Sequence, residues 1–199
     1  MPDQDAVVAI TSGTKDMASV MNLVWDKLLP AMQNQPLPRN DGNLNQLKNT
    51  LAHLTMHLPS GSAAPGPAAP MSGRKYIFPA NDQKIESATL AFGPKGNAAA
   101  LTLSINGVEQ KINCGDGSWV TGRMTFAQDI VEAPEEQPVA AAGAWTEDGV
   151  YKAKLIFYQT PFYVTFTLKF SGDRLLFDTE YNVVRRGSAK QPQLIGQVQ

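Results

Sequence analysis

The sequence contains one cysteine, Cys114, in 199 residues. An intrachain disulfide is therefore excluded, and the redox compartment stays open. No apolar run approaches the ~20 residues a helix needs to cross a bilayer, so no membrane span is expected. Charge of one sign is also missing, since 17 Lys and Arg face 18 Asp and Glu. With no basic cluster there is no electrostatic footprint for nucleic acid. Met1 is followed by Pro2, Asp3, Gln4 and Asp5, not by a basic and then an apolar stretch, so no secretory leader opens the sequence. This leaves localisation undetermined. No cofactor motif is present, and none is expected. The hydrophobic fraction, 43%, is that of an ordinary globular protein.

Two kinds of pattern fill what remains. Val7, Val8, Ala9 and Ile10 form a short continuous apolar run, which suits a strand over Val7–Thr11 buried on both faces of a sheet. No other strand signal lies within about sixty residues of it. A strand without a neighbour leaves its backbone groups unpaired, so its partners are expected in sequence that is absent here. Thr14 or Asp16 can cap a helix running to about Leu29, with Met17, Val20, Met21, Val24, Leu28 and Met32 on one apolar face. After a breaker-rich turn, Asn43 is expected to cap a second helix bearing Leu44, Leu47, Leu51 and Leu54 in a single stripe.

From Pro59 to Gly73 the chain is Pro, Ala, Gly and Ser in the main, the composition of a linker. From Lys75 the period becomes two. Nine strand candidates follow: KYIFP, IESATLAF, AALTLSI, VEQKI, WVTGRMTF, VAAAGAW, VYKAKLIFY, FYVTFTLKF and LLFDTEYNV. Asn106-Gly107 is the strongest hairpin signal, because both central positions of its turn need positive φ. Glu147-Asp148-Gly149 and Ser171-Gly172-Asp173 mark further turns. Phe162, Val164, Phe166, Leu168 and Phe170 alternate with wetter residues, which makes their face the core. Eight or nine strands in sequence, with no helices between them, predict an antiparallel meander closed into an up-and-down barrel, since closure removes exposed edges.

The strand, the TSGTKDM loop and the helix MNLVWDKLLPAM resemble the closing strand and terminal helix of the β-lactamase-related serine hydrolases. INCGDGSWVTG, PVAAAGAWTEDGVYKAKLIFYQTPFYVTFTLKFSGDRL and QPQLIG are similar to the accessory C-terminal domain that follows many such hydrolases. The resemblance implies a lipocalin-like barrel and, as chief partner, a missing N-terminal hydrolase domain. A homo-oligomer is the other partner left open.

The chemistry of that family is absent. It needs a nucleophilic Ser with a Lys one helical turn later, a second Ser or Tyr element, and a Lys- or His-bearing strand. Ser12 with Lys15, and Ser72 with Lys75, have the first spacing. Ser12 follows the family's last strand, however, and Ser72 sits at the linker's edge. Ser104-Ile105-Asn106 mimics the second element, but the turn explains Asn106 better. KTG, HxG and YxN are all missing, so no residue is assigned as catalytic. His53 and His57 have i, i+4 spacing, but no third ligand lies near in sequence, and no metal is assigned. Gly115-Asp116-Gly117-Ser118 lacks the strand-to-helix context of a phosphate cradle and reads as a strand connection. Glu132, Glu135 and Glu136 read as a solvated loop, and Cys114 as a small packing residue. Trp119, Trp145, Tyr158 and Tyr163 are the candidates for lining a ligand cavity, although a plain barrel core asks for the same residue types.

The sequence thus predicts a mainly β chain: an antiparallel up-and-down, lipocalin-like barrel preceded by a short strand and two helices. Residues 1–58 are read as a strand–helix remnant and helical connector, 59–73 as linker, and 74–199 as barrel. The expected role is that of a non-catalytic accessory domain. The alternative is a stand-alone barrel that binds a small apolar ligand.

Overall fold

A computed structural model describes residues 1–61, 66–93, 99–125, 136–146, 149–184 and 186–199, without the side chains of 66 and 67. The chain falls into two compact units, Met1–His57 and Leu58–Gln199.

In the first unit, Asp16 caps α1 (Met17–Leu23) by accepting from the Ser19 amide at 3.0 Å. The helix runs on through a wider turn over Val24–Leu28 and a tighter one over Leu29–Ala31 that contains Pro30. The second helix, α2 (Asp41–Ala52), starts earlier than the sequence suggests. Asn40, not Asn43, is its cap, and the Asn40 side chain accepts from the Asn43 amide. Two Asn three residues apart offer the same cap chemistry, and only φ and ψ choose between them. The strand expected at Val7–Thr11 does not form among the described residues, where that stretch pairs with nothing. An isolated extended segment has no ladder to join.

The second unit is a ten-stranded antiparallel sheet. Its strands are β1 (Lys75–Ile77), β2 (Ile85–Phe92), β3 (Ala99–Ile105), β4 (Val108–Cys114), β5 (Val120–Met124), β6 (Gln137–Trp145), β7 (Val150–Phe157), β8 (Phe162–Ser171), β9 (Arg174–Tyr181) and β10 (Leu194–Val198). The nine candidate segments all contain a strand, and QPQLIG supplies the tenth. Sequential neighbours pair, apart from β4 with β5, and β10 pairs with β1, so that first and last strands meet. The seam lies between β4 and β5. It is bridged by the Gly115 amide donating to the Ala141 carbonyl at 3.1 Å and the Gly143 amide donating to the Gly115 carbonyl at 2.9 Å. The result is a nearly closed up-and-down barrel.

The Asn106-Gly107 turn has φ of 53° and 76°, as the hairpin requires. Glu86 secures it by accepting from the Gly107 amide at 2.8 Å. Alternation decides the core: Val164, Phe166 and Leu168 of β8, Leu175 and Phe177 of β9, and Ala153 and Leu155 of β7 are fully buried. The linker expectation needs correcting at its C-terminal end. Residues Gly66–Met71 form a 3₁₀ turn, Ala68 is buried in the barrel's core cluster, and the Ser72 hydroxyl both accepts from the Phe92 amide and donates to its carbonyl. Ala and Pro fit a tight turn as readily as a flexible spacer, and composition alone does not separate the two.

Candidate functional site

Inside the barrel an aromatic cluster gathers around Trp145, with Phe92 tied to Ser72 just after the Gly66–Met71 turn. Trp145, the last residue of β6, is fully buried. Its indole lies 5.1 Å from the Phe92 ring, 5.0 Å from Tyr151 and 6.0 Å from Phe170, while Tyr76 of β1 lies 5.7 Å from the far side of this group at Phe170. The tilted and edge-on geometries suit the ring quadrupoles.

Tyr151 reaches this place because Gly143, diagonal to it on β6, has no side chain. A Cβ there would collide with the Tyr151 hydroxyl. The hydroxyl also meets the Cys114 thiol. Burial pushes that thiol up to about 12, with the bond to Tyr151 pulling weakly the other way. Burial likewise raises the Tyr151 phenol, and Cys114 adds to the effect. Cys114 is accordingly a protonated, inert thiol at neutral pH.

Several buried polar atoms have no hydrogen bond within the described protein: the Tyr76 hydroxyl, Trp145 Nε1, Thr179 Oγ1 and Gln83 Oε1. Burial raises the Tyr76 phenol, and the nearby Arg74 guanidinium offsets part of that rise without completing a well-formed bond. Arg74 itself pairs with Asp173 at 3.2 Å at the barrel rim.

Of the four cavity candidates, only Trp145 faces the interior. Trp119 is half-buried in the loop before β5, and Tyr158 is exposed at the β7–β8 turn. Tyr163 lies on the outer face of β8, where the Lys154 ammonium stands 4.4 Å over its ring. Tyr163 alternates with Val164 and Phe166, so its outward position follows from the strand's period. The residues that join Trp145 inside are Tyr76, Tyr151 and Thr179. Tyr151 shares the parity of Ala153, Leu155 and Phe157, and Thr179 that of Leu175 and Phe177, so the same period would have found both.

The remaining motif residues are dispersed. Ser12 is exposed, with its hydroxyl against the Met17 sulfur, and Ser72 is occupied by Phe92. His53 is the residue that ends α2, its Nδ1 2.6 Å from the Asn49 carbonyl, so His57 lies beyond the helix and the i, i+4 spacing does not put the two imidazoles on one helix face. Glu136 pairs with Arg123 at 2.7 Å, whereas Glu132, Glu135, Glu147 and Asp148 lie outside the described residues. Among the described residues no three His, Cys, Asp or Glu gather as a metal site.

No family model matches the chain, and no curated protein matches it. Among solved structures it is similar to a "secretary abundant heat soluble" (SAHS) protein from Ramazzottius varieornatus, at 9% identity and a TM-score of 0.46, over 71% of this chain and 98% of that one. A likeness of that degree carries no functional argument, and the barrel stands on its own strand pairings.

Proposed function

We propose that the chain is the non-catalytic C-terminal portion of a β-lactamase-related serine hydrolase. In this reading Met1–His57 completes the hydrolase domain, and the barrel packs beside that domain or a neighbouring subunit. One observation supports this above the rest. Within Met1–His57, Val24 alone among the described apolar residues is buried, while Val7, Leu23, Trp25, Leu37, Leu47, Leu51 and Leu54 stand in solvent. A segment with amphipathic helices and no core of its own is built to be covered. The resemblance of Val7–Met32 to a closing strand and helix names the cover as a hydrolase sheet. A second reading, a stand-alone barrel holding a small apolar ligand, is supported by the barrel unit having a core of its own.

The test joins the chain in frame to the coding sequence upstream of Met1 and compares the product with the chain alone. The joined protein is expected to hydrolyse p-nitrophenyl esters or a chromogenic β-lactam and to protect the Val7–Ile10 amides from exchange. The chain alone should do neither. An upstream frame that encodes no hydrolase, or turnover by the chain alone that vanishes in Ser12→Ala or Ser72→Ala, would overturn the proposal.

A further inference from the structure

Asn106-Gly107 is the one Asn-Gly pair in the sequence. Its two amides sit at the tip of the β3–β4 hairpin, beyond the closing pair of Ile105 and Val108, where the hairpin's own ladder has no partner for them. Both are nevertheless bonded, and both partners come from outside the hairpin. The Asn106 amide donates to the Lys84 carbonyl at 2.8 Å, and the Gly107 amide donates to Glu86 Oε1 at 2.8 Å. Two local distortions bring those partners there. Lys84 has a φ of 56°, in the left-handed region that a lysine rarely adopts. Between Ile85, opposite Ile105, and Ser87, opposite Ser104, β2 carries one residue more than β3, and that residue is Glu86. The Ser104 hydroxyl donates to the other carboxylate oxygen, Oε2, so both oxygens of Glu86 are held. Bulges re-aim side chains, and this one aims a carboxylate at a single backbone nitrogen.

We propose that Asn106 is a site of spontaneous deamidation and that Glu86 holds the reaction off in the folded barrel. In that reaction the Gly107 nitrogen gives up its proton and attacks Asn106 Cγ. The Cγ–Nδ2 bond breaks, ammonia leaves with the proton, and a cyclic imide joins the two residues. Water then opens the ring at either carbonyl, leaving aspartate or isoaspartate at position 106. Space does not prevent the ring from closing: both residues are exposed, and nothing lies within 4 Å of a Cβ built on Gly107. The bond to Glu86 does. It occupies the proton that must leave, and a carboxylate 2.8 Å away disfavours the negative charge that the nitrogen would acquire. Either product places a second negative charge beside Glu86. Isoaspartate also lengthens the backbone by one carbon at the turn that sets the register of β3 on β4. The proposal is independent of the hydrolase reading, since it concerns only Leu58–Gln199, and either can fail without the other.

The experiment incubates the full chain at mildly alkaline pH and follows the tryptic peptide ending at Lys111 by mass spectrometry, with the aspartate and isoaspartate forms separated by chromatography. The same chain denatured in urea gives the unguarded rate, and the folded chain should convert far more slowly. Glu86→Ala should convert about tenfold faster than wild type, the factor that loss of one hydrogen bond to a charged group implies. Ser104→Ala, which releases only the second carboxylate oxygen, should also be faster, though by less, and it carries the test by itself where Glu86→Ala does not fold. Ser72→Ala is the control. It removes two bonds to Phe92 at the far end of β2 and leaves the clamp intact, so its rate should be that of wild type. A folded chain that converts as fast as the denatured one overturns the proposal. So does a rate in Glu86→Ala and Ser104→Ala at or below that of wild type. A Ser72→Ala rate as high as theirs does the same, because the cause would then be general loosening and not the clamp.

Discussion

A single thiol shows how burial governs a residue. Cys114 was legible in the sequence as a packing residue, because no His or Lys stands beside it. Its contact with Tyr151 was not legible, since that needs the pairing of Ala99 with Cys114 on one side of the seam and the bare Cα of Gly143 on the other. The burial of the thiol has a pH consequence. The thiol's ordinary value is 9.0 and the folded value is about 12. The folded state therefore keeps its proton where the unfolded state gives it up. The stabilisation is complete below pH 9 and is lost as pH rises from about 9 towards 12. The raised phenol of Tyr151 acts in the same direction from its ordinary value of 10.0 upward. Urea denaturation followed from pH 7 to 11 should show stability falling above pH 9, with the onset moved upward in Cys114→Ala. A flat profile, or an onset unmoved by the substitution, would show that the thiol does not feel the burial that its position implies.

Elements were legible where the period was long and missed where it was short. In β8 the alternation of Val164, Phe166 and Leu168 against Tyr163, Thr165 and Thr167 fixes both faces, and Phe166 is indeed fully buried. Two elements escaped. β10 spans only Leu194–Val198, with Gly196 at its centre, too little alternation to declare a strand. The Gly66–Met71 turn hides in a composition that reads as linker. Both serve closure. β10 pairs with β9 and β1, and without it those two strands become open edges and the buried contacts of Leu194 are lost. A chain ending at Val184 is therefore expected to lose its cooperative urea transition. A chain beginning at Lys75 should still fold, but with a transition less stable by about 1–3 kcal/mol than one beginning at Gly66, for the two Ser72 bonds and the Ala68 cover. If the chain ending at Val184 kept the full-length midpoint, β10 would not be what joins the ends of the sheet.

At the scale of the whole molecule, the two units differ in what they bury. The barrel unit has a continuous core of side chains from nearly every strand. Met1–His57 presents Leu44, Leu47 and Leu51 along α2 at three- and four-residue spacing, while the expected fourth stripe residue, Leu54, falls beyond the helix end at Ala52; all four are exposed, and Val7 is 95% exposed. The amphipathic stripe was read from the sequence, but what covers it is not written in the stripe, because an apolar face specifies burial and not the partner. Water leaves such a face only for another surface. Without a covering domain, a second copy of the same face is the nearest one, and a leucine stripe at this spacing can form a helix-to-helix seam. The full chain is accordingly expected to self-associate with rising concentration in light scattering. Leu47→Lys with Leu51→Lys, which places two charges in the middle of the stripe, should return it to a monomer, as should a chain that begins at Gly66. On the proposed hydrolase reading, joining that domain to the chain should suppress the association by occupying the same face. A monomeric full chain with slow amide exchange from Val7 to Ile10 would mean that these residues have found a partner within the chain. The view of Met1–His57 as a piece built to be covered would then lose its physical basis.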